Sequence, residues 1–113
     1  MIQVTVYRSN NQITAFTMSG HADSGPYGYD LVCAGVSAVS IGAVNAVMEL
    51  CDLELGVEQG SDGGYLYVTI PEPLDTRLMD KVQLLFEGML ISLKSIELEY
   101  GQFIQIKDNQ EVK

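Results

Sequence analysis

Basic residues are scarce in this chain. The sequence contains 6 Lys and Arg against 15 Asp and Glu, which gives a formal net charge of −9. Proteins that bind nucleic acids use Lys and Arg to displace counterions from the phosphate backbone, so no nucleic-acid partner is expected. An acidic surface would attract a basic partner instead, although the same charge also keeps a small domain soluble.

Cysteine and histidine are rarer still, with 2 Cys and 1 His in 113 residues. If Cys33 and Cys51 lie on one helix, they are about 27 Å apart, which is too far for a disulfide. They are expected to be free thiols, as in a reducing compartment. His21, Cys33 and scattered carboxylates lack a recognised metal-ligand spacing, so no metal or other cofactor is expected.

The sequence also lacks the pattern of a secretory signal and a clear membrane span. The opening stretch MIQVTVYRSN has no basic segment followed by a long apolar run, which favours a cytoplasmic protein. The longest weakly polar segment, Val32 to Cys51, includes polar residues and no basic anchors, so we expect a core helix and no membrane partner. A chain of 113 residues with 47% apolar residues is expected to form one domain over residues 1–113.

Apolar and polar residues alternate at the start of the chain. Residues 2–8 and 12–19 have the period of half-buried strands, and Asn10-Asn11 between them supplies a turn because Asn tolerates positive φ. Residues 20–29 are rich in glycine and include a proline, a composition typical of a mobile loop. The chain therefore opens with a predicted hairpin followed by a mobile loop.

The first predicted helix covers Val32 to Cys51. Asp30 can cap it, since its carboxylate can accept hydrogen bonds from the unpaired amides of the first turn. Cys33 would then lie at the third helical position. Small residues recur along this helix, which predicts that one of its faces packs closely against another element.

Two more strands, a second helix and a last strand are predicted after residue 51. The strands cover residues 55–59 and 65–70. The second helix is capped by Asp75 or Thr76 and stopped by Gly101, and the final strand covers residues 103–106.

The element order ββαββαβ predicts an α+β fold. We expect a two-layer sandwich, in which two helices pack on a mixed sheet of about five strands. In the second helix, Leu84, Leu90 and Ile91 extend the apolar surface beyond the main stripe. That pattern fits either a subunit interface or deep burial.

His21 and Cys33 are the candidate catalytic residues. A cysteine attacks as its thiolate, so a catalytic cysteine requires a base or an environment that favours the anion. A helix start beside Cys33 would favour the anion, and its amides could bind an oxyanion. His21 could act as base toward the thiol and later as acid toward a leaving amine.

Each residue also has a simpler interpretation. A cysteine among small helical residues is often plain packing, and a histidine beside a glycine is often a polar loop residue. Asp30 either orients His21 or only caps the helix. Ser37, one turn after Cys33, either bonds to the substrate or the loop, or is a small residue in a packed helix.

The stretch from Gly20 to Ser40 resembles the signature of the ribosomal-processing cysteine protease family. The resemblance lies in Gly20-His21-Ala22, a glycine-containing loop, Asp30-Leu31-Val32-Cys33-Ala34, and Ser37. It implies Cys33 as nucleophile and His21 as base, with Gly20, Asp30 and Ser37 at further motif positions of less defined role.

The resemblance also implies a substrate and an assembly. Members similar to this chain are cytosolic bacterial homodimers that remove the N-terminal extension of large-subunit ribosomal protein twenty-seven, cutting after two phenylalanines and before an alanine. The substrate would then be a ribosomal protein precursor. Such a tail is basic, which would suit an acidic protease surface.

Two alternatives remain open on the residues. A non-catalytic, ribosome-associated module could hold a basic protein tail on its acidic face without cleaving it. A redox sensor could use Cys33 as its reactive thiol, but Cys51 is several helical turns away and is poorly placed to resolve it.

Overall fold

The computed structural model describes residues 1–20, 26–60 and 64–111, without the side chains of residues 26–30 and 109–111. The elements are β1 (Ile2–Ser9), β2 (Gln12–Ser19), α1 (Pro26–Leu50), β3 (Gly56–Gln59), β4 (Tyr65–Thr69), α2 (Thr76–Tyr100) and β5 (Ile104–Glu111). This order confirms the predicted α+β fold with two helices and five strands.

The five strands form one mixed sheet in the order β3-β4-β2-β1-β5. β1 pairs with β5 in parallel, while the other neighbouring pairs are antiparallel. Asn10 and Asn11 join β1 to β2 with φ values of 52° and 68°, as the sequence predicts for a hairpin turn. The first and the last strands of the chain are thus neighbours in the sheet, with the last strand at one edge.

The core lies between one face of the sheet and the two helices. Val4 and Val6 of β1 are fully buried there, and the ring of Phe16 in β2 meets that of Phe86 in α2 edge-to-face at 5.3 Å. Such aromatic pairs add to the stabilisation that comes from area burial alone. The opposite face of the sheet carries the alternate side chains, which are half-buried or exposed along much of β1 and β4.

Helix α1 contributes one buried stripe to this core. By length and composition alone, its segment Leu31–Leu50 could cross a membrane. Its buried members recur at helical spacing and belong to the core, apart from a serine bonded within the helix: Val32, Val36, Ser40, Val44 and Val47. The spacing accounts for the segment as a helix packed on a sheet.

The start of α1 differs from the prediction. The helix begins at Pro26, so the last residues of the predicted loop are helical and Asp30 lies inside the helix. The assignment of Asp30 as the cap was therefore wrong. Proline is well suited to a first helical position because its fixed φ matches the helix and its missing N–H would have no partner there.

Helix α2 begins where the sequence predicts. Asp75 is its N-cap, and its carboxylate accepts hydrogen bonds from the amides of Arg77 and Leu78 at 3.1 and 3.4 Å. The helix ends at Tyr100, before Gly101. The last strand is longer than predicted, because its pairing with β1 continues past Ile106 as far as Glu111.

Arg8 joins β1 to α2 and β5. Its guanidinium donates two hydrogen bonds to Glu87 at 2.8 and 2.9 Å and two to Asp108 at 2.8 and 3.3 Å. A further bond at 2.9 Å reaches the carbonyl of Asn11. The bonds to Glu87 and then to Asp108 raise the pKa of Arg8 above its ordinary value, so this buried group keeps its charge.

Candidate active site

Cys33 is half-buried on α1, directly after the buried Val32 and three residues before the buried Val36. Its side chain contacts the core cluster from the edge. The thiol is therefore held by packing on one side and open to solvent on the other. Cys51, in the turn after the helix, is also half-buried, and both cysteines are free thiols, as predicted.

The surface around Cys33 is open. Leu31 has 59% of its surface exposed, and Ala34, Ser37 and Ala38 are exposed along the same outer side of α1. These four side chains are small or apolar, so none of them places a charge beside the thiol. The prediction that close packing covers the small-residue face does not hold for these positions.

Ser37 lies one turn after Cys33 and is exposed. In the single chain it is therefore not packed against another described element. Within the part of the chain that the structure describes, the Ser37 hydroxyl has no hydrogen-bond partner, while its carbonyl accepts a long bond of 3.4 Å from Ser40. The hydroxyl is free to meet a bound peptide, which leaves the predicted substrate contact in place.

The position of Cys33 in the helix corrects one part of the predicted chemistry. Counted from Pro26, Cys33 is the eighth helical residue rather than the third, about 10 Å along the axis from the helix start. The dipole effect of a helix terminus fades within the first turn, and amides beyond it are bonded inside the helix. The first-turn amides of α1 are therefore not the oxyanion donors beside Cys33.

Gly20 is fixed at the end of β2. Its φ is +86°, and a Cβ built there would collide with the carbonyl oxygen of Met1. Its amide donates to the carbonyl of Gly64 at 3.0 Å. Both the backbone angle and the lack of space require glycine, so Gly20 anchors the strand end between the start of β1 and the start of β4.

His21 follows Gly20 directly but lies outside the described residues. The side chain of Asp30 also lies outside them, so its predicted role in orienting His21 stays a prediction. The structure describes Cys33, Ser37 and Gly20, and it brings Cys33 and Ser37 to the same helix face. The approach of His21 to Cys33 is therefore not part of the described geometry.

The part of the chain that the structure describes contains no cluster of potential metal ligands. In residues 1–20, 26–60 and 64–111, no three side chains of His, Cys, Asp or Glu lie close enough together to hold a metal ion. The chemistry available to the described part of the site is that of an accessible thiol on a rigid helix.

One surface was not predicted from the sequence. The face of the sheet turned away from the helices carries a groove between Tyr7 on β1 and Tyr65 and Tyr67 on β4. The signal was present in the alternation of these strands, where tyrosine and threonine occupy the positions opposite to the buried valines. The neighbours of a strand decide whether such residues form a groove, and strand order could not be read from the sequence.

A family model described as cysteine protease Prp matches residues 1–105. The chain belongs to this family. The ribosomal processing cysteine protease Prp of Bacillus subtilis (strain 168) is 48% identical over 110 residues, covering 96% of this chain and 98% of that protein. The Prp of Staphylococcus aureus (strain Mu50) is 38% identical over 105 residues, covering 93% of this chain and 94% of that protein.

Solved structures of Prp are similar to this chain throughout. The S. aureus protease with a covalently linked product peptide has a TM-score of 0.85 and 35% identity, covering 96% of this chain and all of that one. The same protease with a substrate peptide has a TM-score of 0.82 and 36% identity, with the same coverage. The Prp fold and the cysteine-protease class therefore apply to this chain.

Proposed function

We propose that this chain is an endopeptidase of ribosome maturation that removes the N-terminal extension of a large-subunit ribosomal protein. The observation that carries the proposal is the half-exposed Cys33 on an open helix face, in a chain that matches the cysteine protease Prp family over residues 1–105. Relatives of this chain are named for ribosomal processing, which supports the substrate class.

In the proposed reaction, His21 takes the proton of the Cys33 thiol and the thiolate attacks the scissile carbonyl. The tetrahedral intermediate collapses to a thioester as the peptide C–N bond breaks, and His21 returns the proton to the leaving amine. Water, deprotonated by His21, then attacks the thioester carbonyl; the C–S bond breaks, the new carboxylate is released, and His21 returns the proton to the Cys33 thiolate. A covalently linked product peptide on a relative is in keeping with such a thioester.

The anchoring of Gly20 supports the assignment of His21. Because the Gly20 amide is bonded to the Gly64 carbonyl and Met1 leaves no room for a side chain, the chain leaves β2 at a fixed point of the sheet. His21 therefore follows a residue of fixed position. Only the residues after Gly20 must change conformation for the imidazole of His21 to reach Cys33. Such pre-organisation lowers the cost of assembling a catalytic pair.

Asp30 and Ser37 are proposed as supporting residues. Asp30 does not cap α1, since it lies four residues after Pro26, so orienting the imidazole of His21 is the role left to it. Ser37 is exposed one turn from Cys33 and is proposed to donate a hydrogen bond to the bound peptide backbone. Both are expected to matter less than the catalytic pair.

The proposal is tested with a synthetic precursor peptide that carries two phenylalanines followed by alanine. Mass spectrometry of the incubated peptide should show one cut, and Cys33→Ala and His21→Ala should each abolish it while the circular dichroism spectrum is kept. Cys51→Ser is the matched control and should cleave at the unaltered rate, because Cys51 lies at the far end of α1. Cleavage retained in Cys33→Ala would refute the assignment.

The same experiment separates catalysis from mere binding. A non-catalytic module would retain the peptide in stoichiometric amounts without a product and would be insensitive to thiol alkylation. The family relationship favours the protease and gives no support to this alternative. We also propose a cytoplasmic location, which the two free cysteines support.

The expected homodimer is supported by the outer surface of the helix layer. Leu84 and Ile91 of α2 have 74% and 66% of their surface exposed, whereas Leu90 is buried. The exposed large apolar residues of α2 are Leu84, Ile91 and Leu98, which recur at intervals of seven on one face of the helix. Exposed apolar surface of this extent is typical of an interface, and a second copy presents the same surface.

Light scattering with size-exclusion chromatography tests the dimer. Ile91→Glu should halve the apparent mass, because a charge would be buried against the partner. Val57→Glu on the edge strand β3 is the control and should leave the mass at that of the unaltered protein. An unaltered chain that is monomeric at micromolar concentration would exclude the dimer.

A further inference from the structure

A groove of about 520 Å³ crosses the face of the sheet that the helices leave open. Three tyrosines, three threonines, two apolar residues and one glutamate line it: Tyr7, Thr14, Ala15, Thr17, Tyr65, Tyr67, Thr69, Ile70 and Glu72. Its volume is within the range of ligand-binding clefts. It lies in the other layer of the fold from Cys33.

The strand register explains why the groove exists. Ala15 on β2 pairs with Tyr7 on β1 and with Thr69 on β4, so the smallest side chain of that row stands in the middle. Ala15 is only 7% exposed, although it lies on the open face. Tyr67 pairs with Thr17 in the next row. The tyrosines thus form walls on both sides of a floor of small residues.

The charges of the groove have one sign. Glu72 lines one end, and Glu58 on β3 pairs with Tyr67 across the strand, so both carboxylates are exposed beside the aromatic wall. The residues that line the groove include no lysine or arginine. Arg8 belongs to the inner network, and Lys107 stands on β5, about 14 Å across the sheet from Tyr67.

We infer that this groove is an exosite for an extended, positively charged segment of the peptide substrate. The inference rests on the proposed endopeptidase function and adds a second contact for the same substrate. Lysine and arginine are attracted to the faces of tyrosine rings, and the two carboxylates complement their charge. A second copy of this chain is not the proposed occupant, since the proposed dimer interface lies on the helix layer, on the other side of the sheet from the groove.

One end of the groove lies beside the end of β2, which His21 follows in the sequence. Tyr65 at its near end pairs with Ser19, and Ser19 precedes Gly20, which carries His21. The groove follows β4 from Tyr65 to Ile70, a length of about 17 Å, which an extended peptide of five or six residues would fill. A substrate held beside the end of β2 would enter the groove at Tyr65.

Steady-state cleavage of two peptides tests the exosite. Both contain the scissile sequence; one continues into a segment with four lysines, and in the other these are glutamines. The lysine peptide should have the lower KM, and Tyr67→Thr combined with Glu72→Gln should raise that KM about tenfold without changing kcat. The glutamine peptide should be cleaved equally by both proteins. Glu99→Gln on α2 removes the same charge outside the groove and should change neither value.

Binding is measured separately, so that failure of catalysis and failure of the exosite are distinguished. NMR titration of the catalytically inactive Cys33→Ala protein with the lysine segment alone should shift the amides of residues 15–17 and 65–69. Unshifted groove amides, equal KM values for the two peptides, or equal binding of the glutamine segment would each overturn the exosite. Shifts in this groove that depend only on protein concentration would assign it to self-association and also overturn it.

Discussion

The side-chain amide of Gln83 on α2 forms both hydrogen bonds that Ile13 on β2 can offer. Its oxygen accepts from the Ile13 amide at 2.8 Å, and its nitrogen donates to the Ile13 carbonyl at 2.8 Å. One glutamine thus substitutes for a strand neighbour at the point where β2 departs from regular pairing with β1, between Tyr7 and Arg8. The contact fixes the hairpin to the second helix.

Replacing Gln83 should therefore destabilise the hairpin. Gln83→Leu keeps much of the side-chain volume but leaves two partly buried backbone groups of Ile13 unpaired, which is expected to cost about 1 to 3 kcal/mol. Urea unfolding gives the loss of stability, and hydrogen exchange at Ile13 reports the specific bond. Gln105→Leu, at an exposed position of β5, is the control. Unchanged exchange at Ile13 would contradict the role of Gln83.

Gly20 should tolerate no side chain. Gly20→Ala places a Cβ against the Met1 carbonyl and forces a positive φ on alanine, so we expect a loss of more than about 1 kcal/mol in the free energy of unfolding. Because Gly20 sets the origin of His21, cleavage of the precursor peptide should also fall in conditions where the protein remains folded.

Gly42 is the matched control for that experiment. It lies within α1, and a methyl group placed on it would meet no neighbouring element within 4 Å, so Gly42→Ala should raise the free energy of unfolding by about 0.5 to 1 kcal/mol. In thermal unfolding, the Tm of Gly20→Ala should fall and that of Gly42→Ala should rise, each relative to the unaltered protein. Equal shifts would mean that the conformation of Gly20 does not matter.

The Arg8 network predicts a large effect from one substitution. Arg8→Met removes the buried guanidinium that holds Glu87 and Asp108, whose side chains are 40% and 18% exposed. Loss of one partner from a buried ionic network is expected to cost about 3 kcal/mol. Unfolding in guanidinium chloride measures this loss in the free energy of unfolding. Arg77→Met, at an exposed position of α2, should stay within about 0.5 kcal/mol of the unaltered protein.

The cap of α2 should contribute a smaller amount. Asp75→Ala leaves the amides of Arg77 and Leu78 without their carboxylate, which is expected to cost about 1 kcal/mol. Asp80→Ala removes the same charge from an exposed position inside the helix and is the control. A cap effect would be contradicted if the two variants unfolded at the same urea concentration.

Local patterns predicted much of the fold. The bounds of β1 and β2 were within a residue of those observed, because strand alternation and a pair of turn-forming asparagines act at short range. The start of α1 was misplaced for the same reason. The glycines around Pro26 favour a loop locally, whereas the helix that contains Pro26 and Gly28 is stabilised by the core contacts of Val32 and Val36 farther along.

The site was predictable in part. Cys33 and Ser37 could be assigned to one helix face because their spacing is that of one turn, and both are accessible as a catalytic surface requires. The position of Cys33 along α1 could not be predicted, because it depends on the residue at which the helix begins. The groove depends on β2 lying between β1 and β4, a tertiary arrangement with no signal in any one strand.

The pairing of β1 with β5 has a consequence for synthesis of the chain. Ile2 lies beside Ile104, so the sheet joins segments separated by most of the sequence. Closing so long a loop is entropically costly and is completed only when both strands are available. On a translating ribosome, the sheet that holds Gly20 in place would be completed only after residues 104–111 emerge. The proteolytic activity should therefore arise abruptly once β5 has emerged rather than growing with nascent-chain length.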